Sequence, residues 1–404
     1  MRISLFGYVK TMTALAARVA CTIYDDKFCE ESRDEYGNAL RPSAAFDPEN
    51  SDLEIPSPGI MPTHPLILRA KHLCSEYDYF APVMPQTVWI SGTNGKTTTT
   101  EMTQLLFASE GALAGGNIGT PLANLDSKAP LWILETSSFT LHYTRTAAPQ
   151  LYVLLPIVDD HISWHGSFES YRDSKLSVIA RMQSGTTAIL PANLLPFVPK
   201  HCCELIAYEN SAHLAKLFAI DTARVPFAEP FLQDALLALA CAKILRNALP
   251  YELLATYHIG AHRQQKALDA EGRLWVNDSK ATNIDATLKA LPQYRDKKIH
   301  LIIGGDDKGA NLLPLFEALV GYQICLYTIG SNEERLCALA EKHAIPFVAC
   351  HDLKTAVATI KQNLRRDEVA LLSPAAASLD QFSSYSERGT LFLQYANATI
   401  QEAR

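Results

Sequence analysis

The sequence predicts an α/β protein of three successive domains. These are a Rossmann-like amino-terminal domain over residues 1–85, a central P-loop domain with a mainly parallel sheet over 86–260, and a Rossmann-like carboxy-terminal domain over 261–404. Three observations predict it. Short apolar runs alternate with helix-compatible stretches along the chain, the pattern of β-α-β units whose parallel strands are covered by helices. One of those runs enters a Gly-rich turn and then a helical pattern, at Ile90-Ser91-Gly92-Thr93-Asn94-Gly95-Lys96-Thr97-Thr98. Polar clusters follow the ends of successive strands, which is where open parallel sheets bind ligands.

Residues 1–85 open with a strand from Ile3 to Phe6, a helix around Thr13 to Val19 and a second strand from Cys21 to Tyr24. Only one glycine, Gly7, follows the first strand, so a dinucleotide fingerprint is missing. Asp25 and Asp26 end the second strand and are read equally as ribose-binding acids or as a charged strand end. Ile55-Pro56-Ser57-Pro58-Gly59-Ile60 is a rigid turn, and Pro82-Val83-Met84-Pro85 reads as a linker.

The central domain carries strands at Thr87–Ile90, Trp132–Glu135, Leu151–Leu155 and Thr187–Leu190. After the first, two glycines allow a tight turn with inward N–H groups, a nest for anionic oxygen. The helix N-terminus adds partial positive charge there. Lys96 can reach outer phosphates and the Thr97 hydroxyl can serve Mg²⁺. Ile90 stands where the longer G-x-x-x-x-G-K-[ST] pattern has its first glycine, so the match is to the shorter G-T-N-G-K-T. The loop is read as a nucleoside-triphosphate site. Gly115-Gly116-Asn117-Ile118-Gly119-Thr120-Pro121 reads as a loop. Glu135 ends a strand, and a carboxylate there, after a P-loop, serves Mg²⁺ directly or through water. Asp159-Asp160-His161 follows the next strand; His161 is read as a metal ligand, a substrate-positioning group or a loop histidine. Lys175, taken alone, reads as a surface lysine. The Ala- and Leu-rich helix from Leu232 to Leu245 is core packing.

In the third domain Trp275-Val276-Asn277 ends a strand and leads to Asp278-Ser279-Lys280-Ala281-Thr282-Asn283, before a helix from Ile284 to Leu291. Strands follow at Ile299–Ile303, Cys325–Ile329 and Val369–Leu372. Gly304-Gly305-Asp306-Asp307-Lys308-Gly309 follows the first of these, and Ser373 to Phe382 follows the last. Polar loops at consecutive strand ends of one sheet converge on one edge, which makes them candidates as a group.

Composition narrows the class. With 404 residues, 48% hydrophobic and 20% charged, the chain is globular rather than disordered. A formal charge of −7 argues against a generic nucleic-acid binder. No apolar run is long enough to span a membrane, and the amino terminus reads as a strand rather than a signal peptide. Nine cysteines without C-x-x-C spacing read as reduced thiols, hence a cytoplasmic protein. A monomer is the expected state.

Taken together, the motifs resemble the Mur ligase superfamily, and within it the branch that adds D-glutamate. Those motifs are S-G-T-N-G-K-T at Ser91, G-N-I-G at Gly116, E-T-S-S-F at Glu135, D-D-H at Asp159 and H-G-S-x-x-x-Y-x-x-x-K ending at Lys175. H-R at His262, N-D-S-K-A-T-N at Asn277, G-G-D-D-K-G at Gly304 and the stretch from Leu372 to Gly389 complete them. The resemblance implies an ATP- and Mg²⁺-dependent amide ligase that activates the carboxylate of UDP-N-acetylmuramoyl-L-alanine as an acyl phosphate, which the amine of D-glutamate attacks. By this resemblance Gly92, Thr93, Asn94, Gly95, Lys96, Thr97, Thr98, Arg263, Asp278 and Lys280 bind ATP. Thr97, Glu135, His161 and Lys175 serve metal, with Lys175 carbamylated, and Lys96, His161 and Lys175 are catalytic. Asn117, Ser137, His161, Thr282, Lys308, Ser378 and Tyr385 hold the two substrates. Three departures stand out: the first loop, Gly7-Tyr8-Val9-Lys10-Thr11, lacks the family's glycines. Pro230-Phe231 stands for its His-Asn, and Ser163-Trp164 follows Ile162 where it has Asp-Arg. Another amino-acid or folylpolyglutamate ligase is disfavoured by Lys308 with Ser378 to Phe382, and a degenerate regulatory module by intact Lys96, Glu135, His161 and Lys175. A Rossmann oxidoreductase fails for lack of G-x-G-x-x-G.

Overall fold

Every apolar run read as a strand is a strand, and with shorter additions they form three sheets. The computed structural model describes residues 1–401. Its chain divides into two units, Met1–Tyr257 and His258–Arg404.

The first unit holds two sheets. One contains β1 (Ile3–Phe6), β2 (Cys21–Asp25), β3 (Ser32–Arg33), β4 (Ala39–Pro42) and β5 (Leu53–Pro56), in the order β3-β4-β2-β1-β5. All neighbours are parallel except β3 and β4. Helix Lys10–Ala16 begins three residues earlier than the sequence suggests. Asp25 accepts from the N–H groups of Tyr8 (2.6 Å) and Lys27 (3.0 Å), so it pins the first loop. Asp26 meets Nε2 of His64 at 3.0 Å.

The stretch read as a linker is not extended. Helix Glu76–Phe80 runs into a 3-10 turn, Ala81–Val83. Ser75 and Asp78 form a reciprocal capping box at its start, a short-range signal that S-x-x-D offers before an aromatic run. Asp78 also accepts from the backbone of Arg145, Thr146 and Ala147, each at 2.8 Å. Burial works against its ionised form, but these N–H groups prevail and hold its carboxyl below the usual range.

The second sheet contains β6 (Gln86–Ser91), β7 (Leu113–Gly116), β8 (Leu131–Glu135), β9 (Leu151–Leu154), β10 (Thr187–Pro191) and β11 (Glu204–Tyr208). Its order is β11-β10-β9-β6-β8-β7, parallel throughout. Gly115 and Gly116, expected in a loop, end the edge strand β7. Alternate side chains face opposite ways along each strand, so Val88, Ile90, Ile133 and Val153 pack on one face while Trp89, Trp132, Leu134 and Tyr152 pack on the other. Helix Phe231–Arg246, buried along most of its length, joins the first cluster beside helix Lys96–Phe107. Chain order reverses around β6: the chain passes through β7 and β8 on one side and then crosses to β9 on the other. A topological switch point thus lies at the carboxyl end of β6.

The second unit is one mixed sheet of β12 (Gln265–Leu268), β13 (Leu274–Asn277), β14 (Ile299–Gly304), β15 (Ile324–Ile329), β16 (Phe347–His351), β17 (Val369–Leu372) and β18 (Thr399–Ile400). The order is β16-β15-β14-β17-β13-β12-β18, with β12 antiparallel to both neighbours. Because β14, β17 and β13 are parallel and adjacent, the loops after Gly304, Leu372 and Asn277 leave from one edge. Among the described residues, no helix is long and apolar enough to cross a membrane.

Candidate active site

The loop at the switch point is shaped by its glycines. Gly95 has φ +85°, and a Cβ there would lie 2.4 Å from Oδ1 of Asp234 and 2.5 Å from Leu155. It caps helix Lys96–Phe107, whose first N–H groups therefore point into the loop. The Thr93 hydroxyl lies 2.9 Å from the hydroxyl of Tyr171 and accepts from the N–H of Val158 at 3.0 Å. Lys96 is half-buried, and its Nζ donates to the carbonyls of Gly92 (3.0 Å) and Thr93 (2.8 Å). Burial lowers its pKa, against the charges of Glu135 and Asp160. Thr98 is buried, whereas Asn94 and Thr97 are half-buried.

Lys175 is no surface lysine. It sits on helix Phe168–Leu176, is 1% exposed, and donates to Oγ of Ser91 (3.2 Å) and the carbonyl of Gly92 (2.9 Å). Its Nζ lies over the Tyr171 ring, 4.7 Å from the centroid. Burial drives its pKa well below the ordinary lysine value and the Lys96 charge pushes the same way, opposed by Asp160 and Glu135. Two lysine amines thus share the Gly92 carbonyl, one of them held towards its neutral form.

Glu135, 3% exposed, accepts from Nδ2 of Asn117 at 2.6 Å through Oε1. Its Oε2 is buried without a hydrogen-bond partner. A buried, unmatched carboxylate oxygen fits a cation bound by oxygen donors. Among the described residues no three His, Cys, Asp or Glu side chains gather as a cage. His161 has φ 54°, and its Nε2 is 3.6 Å from Oδ2 of Asp160 while its ring packs edge-on against Phe139. Ser137 caps helix Ser138–Tyr143 by accepting from the N–H of Thr140 at 3.0 Å. Trp164, one of the departures, donates from Nε1 to the Gly59 carbonyl at 3.1 Å. It ties the segment after His161 to the Pro-Gly turn after β5.

In the second unit, Asp278 is 7% exposed, with Oδ1 accepting from the N–H of Gln264 (3.1 Å) and Oδ2 from the Ser373 hydroxyl (2.9 Å). Burial pushes its carboxyl up to about 7, against Ser373, Gln264 and the Arg263 charge. Lys280 lies over the Tyr385 ring at 5.4 Å, and the Tyr385 carbonyl accepts from Ser279 Oγ at 2.8 Å. Arg388, fully buried, ties two loops together. Its Nε donates to Ser279 Oγ (3.0 Å), and its Nη2 to the carbonyls of Ser279 (2.9 Å) and Ala376 (3.1 Å). The loop after β14 joins the same structure through the Asp306–Ala377 bridge. Lys308 is exposed with φ 52°, Thr282 is exposed, and Ser378 is 3% exposed.

Residues 90–225 match the family model of the Mur ligase middle domain. The UDP-N-acetylmuramoylalanine–D-glutamate ligase of Campylobacter jejuni is 52% identical over 402 residues, covering 98% of this chain and 100% of its own length. The chain belongs to this ligase family. The Helicobacter pylori enzyme of the same name is 46% identical over 97% of this chain and 98% of its own. In fold, the chain resembles the MurF ligase of Thermotoga maritima, solved in complex with ADP, with a TM-score of 0.60 at 14% identity over 97% of each chain.

Within this family member the structure brings Gly92 to Thr98, Asn117, Glu135 and His161 to neighbouring strand ends of one sheet, and Lys175 reaches the end of β6 from its helix. It brings Arg263, Asp278, Lys280, Thr282, Lys308, Ser378 and Tyr385 to the loops of another. Tyr171 belongs to the motif that ends at Lys175 but carries no role in the sequence reading; its ring lies under the Lys175 amine and its hydroxyl reaches Thr93. Its signal was the four-residue spacing that puts Tyr171 and Lys175 on one helix face.

Proposed function

We propose that the chain joins D-glutamate to UDP-N-acetylmuramoyl-L-alanine at the expense of ATP, a step in the cytoplasmic stage of peptidoglycan synthesis that serves cell-wall growth and division. The observation carrying the ligase chemistry is the buried Lys175 amine beside the P-loop lysine, close to Glu135 and Asp160, and the 52% identical relative supports the substrate pair. Burial disfavours the charged form of this amine, and in its neutral form its lone pair can attack CO₂, with loss of one proton, to give a carbamate. That converts a cation into an anionic oxygen donor suited to Mg²⁺. Thr97 and Glu135 would hold one Mg²⁺, and His161 and carbamylated Lys175 a second. The ions would supply neutralisation of phosphate charge.

The remaining chemistry belongs to substrate and chain. The substrate carboxylate takes the γ-phosphoryl group of ATP, and ADP leaves. The amine of D-glutamate attacks the acyl phosphate, loses a proton, and the tetrahedral adduct expels phosphate. No enzyme nucleophile is needed, so alignment and charge stabilisation are the protein's share. The N–H groups of Gly92 to Thr98 and Lys96 grip the phosphates, and Asn117 positions the acyl end together with Ser137. Arg263, Asp278 and Lys280 serve the rest of the nucleotide. Thr282, Lys308, Ser378 and the backbone at Tyr385 receive the two carboxylates of D-glutamate, which call for a cation and N–H donors. Residues 1–85 would bind the uridine diphosphate, 86–260 the ATP and 261–404 the amino acid, in a monomer whose partners are small molecules. Phosphate release from ATP tests the assignment: it should require both UDP-N-acetylmuramoyl-L-alanine and D-glutamate. Equal release with L-lysine or diaminopimelate in place of D-glutamate would overturn it.

A further inference from the structure

Helix Glu76–Phe80 lies outside every motif discussed so far, yet it reaches beneath the carboxyl ends of β7 and β8. Tyr77 is 2% exposed, and its ring packs edge-on against Trp89 with centroids 4.7 Å apart. Its hydroxyl lies 3.3 Å from both the Glu135 carbonyl and Oγ1 of Thr136. The same Glu135 carbonyl accepts from the N–H of Asn117 at 2.9 Å. At Gly116, φ is +87° and a Cβ would fall 2.7 Å from the Tyr77 hydroxyl and 2.5 Å from the Glu135 carbonyl. Any side chain at Gly116 would therefore displace the tyrosine. One residue earlier on the helix, the Glu76 carboxyl is buried, and the backbone N–H groups of Ala123 and Leu122, at the far end of the loop that carries Asn117, favour its charged form.

The contacts continue past Glu135. The Thr136 carbonyl accepts from Ser91 Oγ at 2.8 Å, and Ser91 Oγ accepts from Lys175 Nζ at 3.2 Å. A continuous set of hydrogen bonds thus runs from the Tyr77 hydroxyl through Thr136 and Ser91 to the Lys175 amine. The hydroxyl meets the Glu135 carbonyl and the Thr136 hydroxyl, and so fixes the backbone that aims Glu135 and Asn117.

We propose that Tyr77 is a positioning residue for divalent-metal binding, holding the ends of β7 and β8 so that Glu135 presents its buried, unpartnered oxygen to the ion. This rests on Glu135 being a metal ligand. A ligand held slightly out of place weakens metal binding rather than abolishing it, as supporting partners of metal ligands generally do.

The test is Mn²⁺ binding to the full chain in the presence of ADP, followed by the EPR signal of free Mn²⁺, with KM for D-glutamate measured in parallel. Tyr77→Phe keeps the ring packing on Trp89 and removes only the hydroxyl. It should weaken Mn²⁺ binding about fivefold, the worth of one buried neutral hydrogen bond, and leave KM for D-glutamate unchanged. Thr136→Val removes the partner hydroxyl and should give the same selective loss, and it carries the test if the first variant does not fold. Glu135→Gln separates the two layers of the argument. If it weakens Mn²⁺ binding while Tyr77→Phe and Thr136→Val bind Mn²⁺ like the wild type, the positioning role is refuted and the metal ligand stands. If Glu135→Gln itself binds Mn²⁺ unchanged, the metal reading fails, and the proposal with it.

Discussion

Glu76→Gln should make the protein more stable, and increasingly so as pH rises. The Glu76 carboxyl is 5% exposed and its Oε1 is buried without a partner. Burial pushes it up to about 8, against the N–H groups of Ala123 and Leu122. In the unfolded chain the same group titrates near ~4.3. Between those values the folded state holds a proton that the unfolded state has released. The contribution is therefore fully present below the unfolded value and is lost as pH rises towards the folded one. Integrating that difference gives a loss of about 3.5 kcal/mol between pH ~5 and pH ~8. Glutamine has the shape of the protonated acid, keeps an oxygen for the two N–H groups and does not titrate. Urea unfolding read by tryptophan fluorescence suits the measurement, because Trp89, Trp132 and Trp164 all lie in the unit that contains Glu76. The two proteins should differ little at pH ~5, and the variant's advantage should grow to about 3 kcal/mol by pH ~8. A difference that stays constant with pH refutes the buried-acid argument.

Two further outcomes follow from the site. Lys175→Ala should lower phosphate release by about 100-fold or more, on the order of the loss from disturbing a metal site; added bicarbonate should not restore it, whereas a short carboxylic acid in the cavity should restore part. Full activity in the variant refutes the carbamate role. Arg388→Lys should destabilise the second unit by about 2–4 kcal/mol, because one ammonium nitrogen with three donors cannot span the Ser279 hydroxyl and the carbonyls of Ser279, Ala376 and Ala377, which the guanidinium reaches from three separate nitrogens. The same variant should raise KM for D-glutamate, and an unchanged urea midpoint contradicts the tie.

Most of the sheet framework was legible because its central strands are buried on both faces and so read as apolar runs bounded by turn residues. Strands β1, β6, β8, β9, β14 and β17 are of this kind, entirely or almost entirely buried. What escaped lies at edges or is written in small or polar residues. Strand β7 is Leu-Ala-Gly-Gly, which resembles a turn until β8 pairs with it. Strands β12 and β18 sit near one margin of their sheet, where burial does not force an apolar pattern. Helix Glu76–Phe80 was obscured by the prolines that follow it, although its capping box was present in the sequence. At the site, Lys96 was legible from local geometry alone. The burial of Lys175 was not, because it comes from β6 and the loop beyond it, over eighty residues earlier in the chain.

The tie made by Arg388 has a consequence for how this protein can change. Its guanidinium fastens the backbone after β13 to the backbone after β17, and the Asp306–Ala377 bridge draws in the loop after β14. Residues proposed to hold the nucleotide and residues proposed to hold the amino acid therefore share one scaffold. A substitution that reshapes one loop to admit a different amino acid also moves the others, ATP contacts included. Selection for a new acceptor would meet a correlated loss on the nucleotide side unless compensating changes arose on both loops together. Variants recovered from such an experiment should carry their substitutions in pairs, one from the stretch 278–282 and one from 375–382.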